Sequence, residues 1–105
     1  MFPNTVIGKV AGTGIAINVV LGFKPDFVEC YNANTGQKLA RFRGQANTFK
    51  TVSAGTITTV TGANGLADYT GATQGEGFTI PADAQVNVNG QDICYVAVRS
   101  APGAK

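Results

Sequence analysis

The 105-residue sequence contains no histidine and no tryptophan, has only two cysteines, and draws 13% of its residues from Asp, Glu, Lys and Arg. Each scarcity closes off a class of chemistry. Without histidine, the commonest general base, catalytic-triad member and metal ligand is missing, which removes most hydrolase mechanisms. The six acidic residues, Asp26, Glu29, Asp68, Glu76, Asp83 and Asp92, are scattered singly. Nothing in their spacing favours the carboxylate pair of a glycosidase, so the expectation is that the chain is not an enzyme and carries no cofactor. Cys30 and Cys94 lack metal-ligand spacing, and no metal site is expected. A formal net charge of +2 is too small and too dispersed for phosphate binding, so no nucleic-acid partner is expected. The longest apolar run, Ile15 to Phe23, is short and interrupted by Asn18 and Gly22. It reads as neither a signal peptide nor a membrane span.

What is present points to strands. Fourteen glycines and an enrichment in Thr, Val, Ala and Asn suit one all-β domain, residues 1–105, with many turns. Thr5 to Val10 and Gly14 to Val20 read as a hairpin linked through Ala11-Gly12-Thr13. Gly12-Thr13-Gly14 superficially matches a dinucleotide loop, but no helix pattern follows it and the turn reading wins. Pro25 has no N–H to give to a ladder, so Leu21-Gly22-Phe23-Lys24-Pro25 reads as a corner where the chain crosses to another sheet. Asp26 to Asn32 and Lys38 to Arg43 form a second hairpin around Ala33-Asn34-Thr35-Gly36, with Leu39, Arg41 and Arg43 on one side and Ala40 and Phe42 on the other. Thr48 to Ser53 and Thr56 to Thr61, rich in β-branched residues, make a third pair around Ser53-Ala54-Gly55. Residues 62–76 read as a long loop and 101–105 as a frayed tail.

The stretch from Gly77 to Arg99 reads as the nucleus of the sheet. Phe78 to Ile80, Gln85 to Val88 and Ile93 to Val98 look like strands, the last two joined at Asn89-Gly90, a dipeptide suited to a tight hairpin. In the final run Cys94, Val96 and Val98 share one face, and Ile93, Tyr95 and Ala97 the other. Cys30 and Cys94 are both expected in the core, either as two buried thiols or as a disulfide between neighbouring strands. The sum is a β-sandwich, jelly-roll or Greek-key-like, of eight to nine short strands.

Arg41-Phe42-Arg43 could serve as a stacking platform for single-stranded nucleic acid. A buried Phe42 between two solvated arginines that meet acidic groups on a protein partner is the preferred reading. A carbohydrate site is the rival among binding functions, but without tryptophan it would depend on Tyr69, Phe2 or Phe49 being exposed.

The segments Gly22-Phe23-Lys24-Pro25-Asp26-Phe27-Val28 and Gly77-Phe78-Thr79-Ile80-Pro81-Ala82-Asp83, the latter running on through Val88-Asn89-Gly90 to Tyr95-Val96-Ala97, resemble small all-β virion proteins of tailed bacteriophages. The likeness covers both ends of the chain and weakens across Gln45 to Gly75. It implies a capsid decoration or cement protein on the virion surface, made in the host bacterial cytoplasm, that binds the major capsid protein and self-associates, with a trimer as the natural form. A small tail or fibre component, or a carbohydrate-binding module contacting the host surface, is the alternative. On this view Met1 to Asn4 is an arm, and Phe2, Arg41, Arg43, Phe49 and Tyr69 are the candidate partner-binding residues.

Overall fold

Two antiparallel sheets pack face to face in the computed structural model, which describes residues 5–52, 55–71 and 75–99. Among the described residues the elements are β1 (Thr5–Ala11), β2 (Ile17–Val20), β3 (Phe27–Asn32), β4 (Lys38–Phe42), β5 (Asn47–Thr51), β6 (Ile57–Thr61), a 3₁₀ turn at Gly62–Asn64, β7 (Ala67–Thr70), β8 (Glu76–Ile80) and β9 (Asp92–Val98). The larger sheet runs β1-β9-β3-β4-β5-β6 and the smaller β2-β8-β7. The expected β-sandwich is therefore the fold. Its Greek-key character lies in the nesting of β1 with β9 in one sheet and β2 with β8 in the other.

Alternation puts one face of each strand inside. Val28 and Cys30 of β3, Leu39 of β4, Ile93 and Ala97 of β9, and Val19, Phe78 and Ile80 of the smaller sheet form the core. Phe78 meets Tyr95 edge-on across the two layers at 5.4 Å. The Leu21–Pro25 corner behaves as its composition implies. Gly22 takes φ +92°, which a side chain would disfavour, and the chain passes from the small sheet into β3 of the large one.

Three local expectations give way. First, β1 and β2 are not a hairpin: they belong to different sheets and pair with β9 and β8. Gly12 is held by Gln91 O (2.8 Å) and Gly90 N (3.0 Å), so close to Val88 that a Cβ at Gly12 would collide with the Val88 carbonyl. Second, Gln85 to Val88 is not a strand. Residues 81–91 form a plug bonded to β3, to the β3–β4 turn and to β5, with Val86 and Asn87 at its buried centre. Asn89-Gly90 does turn the chain, Gln91 N bonding Val88 O at 3.0 Å, but no strand pair flanks it. Third, the 62–76 segment contains β7, registered on β8 from Ala67↔Thr79 to Thr70↔Glu76. The expected arm (residues 1–4), Ser53-Ala54 and the tail (101–105) lie outside the described residues.

The plug is tied to the large sheet by polar side chains. Asn32 Nδ2 donates to Val86 O (2.9 Å) and Gln91 Oε1 (3.1 Å), while its Oδ1 accepts from Asn34 N and Thr35 N in the β3–β4 turn. Lys50 Nζ meets Asp83 Oδ2 at 2.7 Å, with the carboxylate side chain only 7% exposed. Burial alone would push the Asp83 carboxyl up. The Lys50 hydrogen bond, the Gln85 and Val86 N–H groups and the Lys50 charge outweigh it and hold the carboxyl below its ordinary 3.8.

A carboxyl held low in the folded state adds stability above its unfolded pKa, and loses it as pH falls through the folded value. The melting temperature is therefore expected to drop as pH is lowered from about 5 toward 2, partly through this pair. Lys50→Met should flatten that dependence. Parallel acid profiles for wild type and Lys50→Met would show that the pair contributes nothing.

Candidate interaction face

The outward side of the six-stranded sheet can be read row by row from the register. One row is Thr5, Val98, Phe27 and Phe42; the next is Ile7, Val96, Glu29, Ala40, Phe49 and Thr59; the third is Lys9, Cys94, Tyr31, Lys38, Thr51 and Ile57. Seven large hydrophobics lie exposed among the described residues. Five of them, Ile7 (77%), Ile57 (66%), Phe42 (54%), Phe49 (44%) and Tyr31 (42%), stand on this one face. Scattered exposed hydrophobics are normal, whereas their concentration on one sheet face makes that face the candidate for interaction.

The charges on the face are paired among themselves. Lys38 Nζ reaches Glu29 Oε2 at 3.0 Å, and Lys9 Nζ lies 3.5 Å from Asp92 Oδ2. A partner laid on this surface meets a nearly neutral field, and no lone charge has to be stripped of water against apolar neighbours. Phe42 is itself steadied by Phe27, with ring centroids 4.8 Å apart. Six strands at a spacing of about 4.8 Å, each presenting roughly five residues at about 3.3 Å, make a face of roughly 400 Å² in projection.

The candidate residues fall in different places. Phe49 is on the face. Phe2 lies outside the described residues. Arg41 points the other way: its Nη1 bonds Asp68 Oδ1 at 3.0 Å and its Nε the Gln45 carbonyl at 3.1 Å, leaving the side chain 17% exposed. Arg43 is exposed at the corner, bonding the Lys24 carbonyl (3.3 Å) and lying 3.8 Å from Asp26. Tyr69 is half-buried on the smaller sheet, at the opposite side of the molecule. The expected solvated–buried–solvated pattern of Arg41-Phe42-Arg43 is thus reversed at its first two positions, with Phe42 outside and Arg41 inside. Tyr31, Ile7 and Ile57 belong to the face and were not singled out from the sequence, and Phe42, expected to be buried, joins them. The signal that could have found them is the parity fixed by Cys30 and Leu39, which forces Tyr31 and Phe42 outward.

Cys94 also stands on the face, correcting its expected place in the core. It is registered opposite Tyr31, whereas Cys30 is registered opposite Tyr95 and points inward. The two thiols lie on opposite sides of the sheet and both are free, Cys30 buried and Cys94 exposed. Burial, with a smaller contribution from the Glu29 charge, pushes the Cys30 thiol far up, away from the reactive thiolate. A water-soluble thiol reagent is expected to label one equivalent, at Cys94, in the native protein and a second only after denaturation. Two fast equivalents in the native state would contradict this packing.

The described residues offer little for small-ligand chemistry. No group of three or more His, Cys, Asp or Glu side chains converges among them. A pocket between Arg41, Asp68, Leu66 and Phe78 encloses about 10 Å³, room for one water at most. No helix among the described residues is long and apolar enough to cross a membrane. Comparisons with protein-family models, curated proteins and solved structures find no match to the chain.

Proposed function

We propose that this chain is a noncatalytic structural protein of a bacteriophage virion, a capsid decoration or cement protein that lays the outer face of its large sheet on the major capsid protein. The observation that carries a docking role is the gathering of Ile7, Tyr31, Phe42, Phe49 and Ile57 on that one face. The two internally compensated ion pairs beside them support it. The virion setting is supported by the corner at Gly22 to Val28 and by the Gly77 to Ala97 stretch, whose sequences resemble small all-β virion proteins of tailed bacteriophages.

The physics of such a role follows from the size of the face. Roughly 400 Å² in projection is at the low end for a stable protein–protein contact. One copy alone therefore binds weakly, and firm attachment comes from several copies engaging an assembled lattice together. Binding that exists only on the assembled shell stabilises the shell against disruption by mass action.

The test is to mix purified protein with shells of the encoding phage stripped of minor proteins. Saturable binding and a raised disruption temperature are expected. A shell that takes up no protein and melts unchanged would overturn the reading.

A further inference from the structure

Among the described residues strand β6 ends the large sheet, and the side turned away from β5 is built for pairing. Its sequence, Ile57-Thr58-Thr59-Val60-Thr61, is β-branched at every position and holds no charge, proline or glycine. The other sheet edges are guarded or short: β1 carries Lys9 and Gly8, while β2 and β7 have four residues each, β7 including Asp68. Natural edges are usually blunted by lysine, proline, bulges or brevity. Beta-6's edge has none of these devices.

The ladder fixes which backbone groups face outward. Val52 N bonds Thr56 O at 2.8 Å, continuing the Thr51↔Ile57 register of β5 and β6. Antiparallel pairs alternate between bonded and non-bonded, so Thr58 and Val60 spend their N–H and C=O groups on β5. Those of Ile57, Thr59 and Thr61 point to the open edge.

We infer that β6 pairs antiparallel with β6 of a second copy, across a two-fold axis at Thr59. The occupant is argued from self-complementarity. About that axis Thr59 faces Thr59 of the second copy and Ile57 faces Thr61 of the second copy. All of these are the residues whose amides are free, giving about six interchain hydrogen bonds, two for each of three bonded pairs. No like charges are brought together, and Ile57, 66% exposed in the monomer, gains cover. Pairing in this register keeps Ile57, Thr59 and Thr61 on the outer side, so the two docking faces merge into one continuous surface. The contact closes on itself, producing a dimer and not a trimer or a chain of copies.

Sedimentation across a concentration series is expected to show a dimer of twice the 10.8 kDa chain. Thr59→Lys sets two ammonium groups face to face at the axis and should weaken self-association by about tenfold or more, with the melting temperature close to wild type. Thr59→Pro should do the same, because the lost N–H makes no bond within the monomer, whereas Thr58→Pro should damage the fold itself. In a Cys94→Ser background, Thr59→Cys should oxidise to a covalent dimer and Ile7→Cys, at the far edge, should not. A wild-type protein that stays monomeric throughout, sediments as a trimer, or remains dimeric as Thr59→Lys would overturn the inference. The inference does not rest on the virion reading: a dimer that binds no shell sinks only that reading, and a shell-binding monomer sinks only this one.

Discussion

Phe42→Asp combined with Phe49→Asp should reduce binding to stripped shells at least ~100-fold while the protein remains folded. Both rings stand on the outer face, on the neighbouring strands β4 and β5, about half exposed and so with apolar surface left to bury. Aromatic anchors at the centre of an interface each carry about 2 kcal/mol or more, and about 1.4 kcal/mol is tenfold in affinity. Two carboxylates add a desolvation cost, since Lys38, two positions along β4 from the residue that faces Phe49, already serves Glu29. Loss of the Phe27–Phe42 contact should cost only about 1 kcal/mol of stability. Ile15→Asp is the control: Ile15 is 68% exposed but lies in the β1–β2 connection, off the face. Arg43→Ala should also leave binding nearly unchanged. If the double variant binds like wild type, or Ile15→Asp is as damaging, the outer face is not the docking surface.

Where structure followed from neighbours in sequence, it was legible. The β3–β4 and β5–β6 hairpins announce themselves through Asn34-Thr35-Gly36 and through β-branched alternation, because turn chemistry and strand pattern are local. The Pro25 corner is legible for the same reason. Most of the failures involve partners far along the chain; β7, which pairs with β8 only 6 to 12 residues on, is the exception. Gln85 to Val88 alternates like a strand, yet Asn87 is bound to residues 72 to 74 positions away. Ala11-Gly12-Thr13 has the composition of a hairpin link, but Gly12 is held by Gly90 and Gln91. Arg41 looked solvated because its partner, Asp68, is 27 residues distant, and once Arg41 turns inward Phe42 must turn outward. The candidate site was half hidden for this reason: side-chain polarity suggested one parity and the core residues on either side imposed the other.

Asn87 offers the sharpest test of that long-range closure, and Asn87→Ala should lower the unfolding free energy by about 3 kcal/mol. The side chain is 1% exposed and fully used. Its Oδ1 accepts from Thr13 N (2.9 Å) and Gly14 N (3.2 Å), and its Nδ2 donates to Ile15 O (2.6 Å) and Pro81 O (3.1 Å). One amide therefore joins the plug to the β1–β2 connection and to the plug's own first residue, next after β8. Water can replace some of the lost partners near the exposed Thr13 to Ile15 segment, which keeps the cost below the sum of four bonds. The Pro81 carbonyl, in a buried residue, has no such recourse. Asn87→Asp separates bonding from shape. A carboxylate keeps both acceptor contacts but sets negative charge against the Ile15 and Pro81 carbonyls, so its folded pKa should be raised. Such a group is tolerated below its unfolded pKa and costs stability as pH rises through the folded value. Asn87→Asp should therefore gain stability relative to wild type on going from pH 7 to pH 4, the reverse of the trend expected for the Lys50–Asp83 pair. Urea unfolding of both variants at the two pH values decides it: a loss under 1 kcal/mol for Asn87→Ala, or no pH dependence for Asn87→Asp relative to wild type, would mean that the plug is held by burial of Val86 and not by this amide.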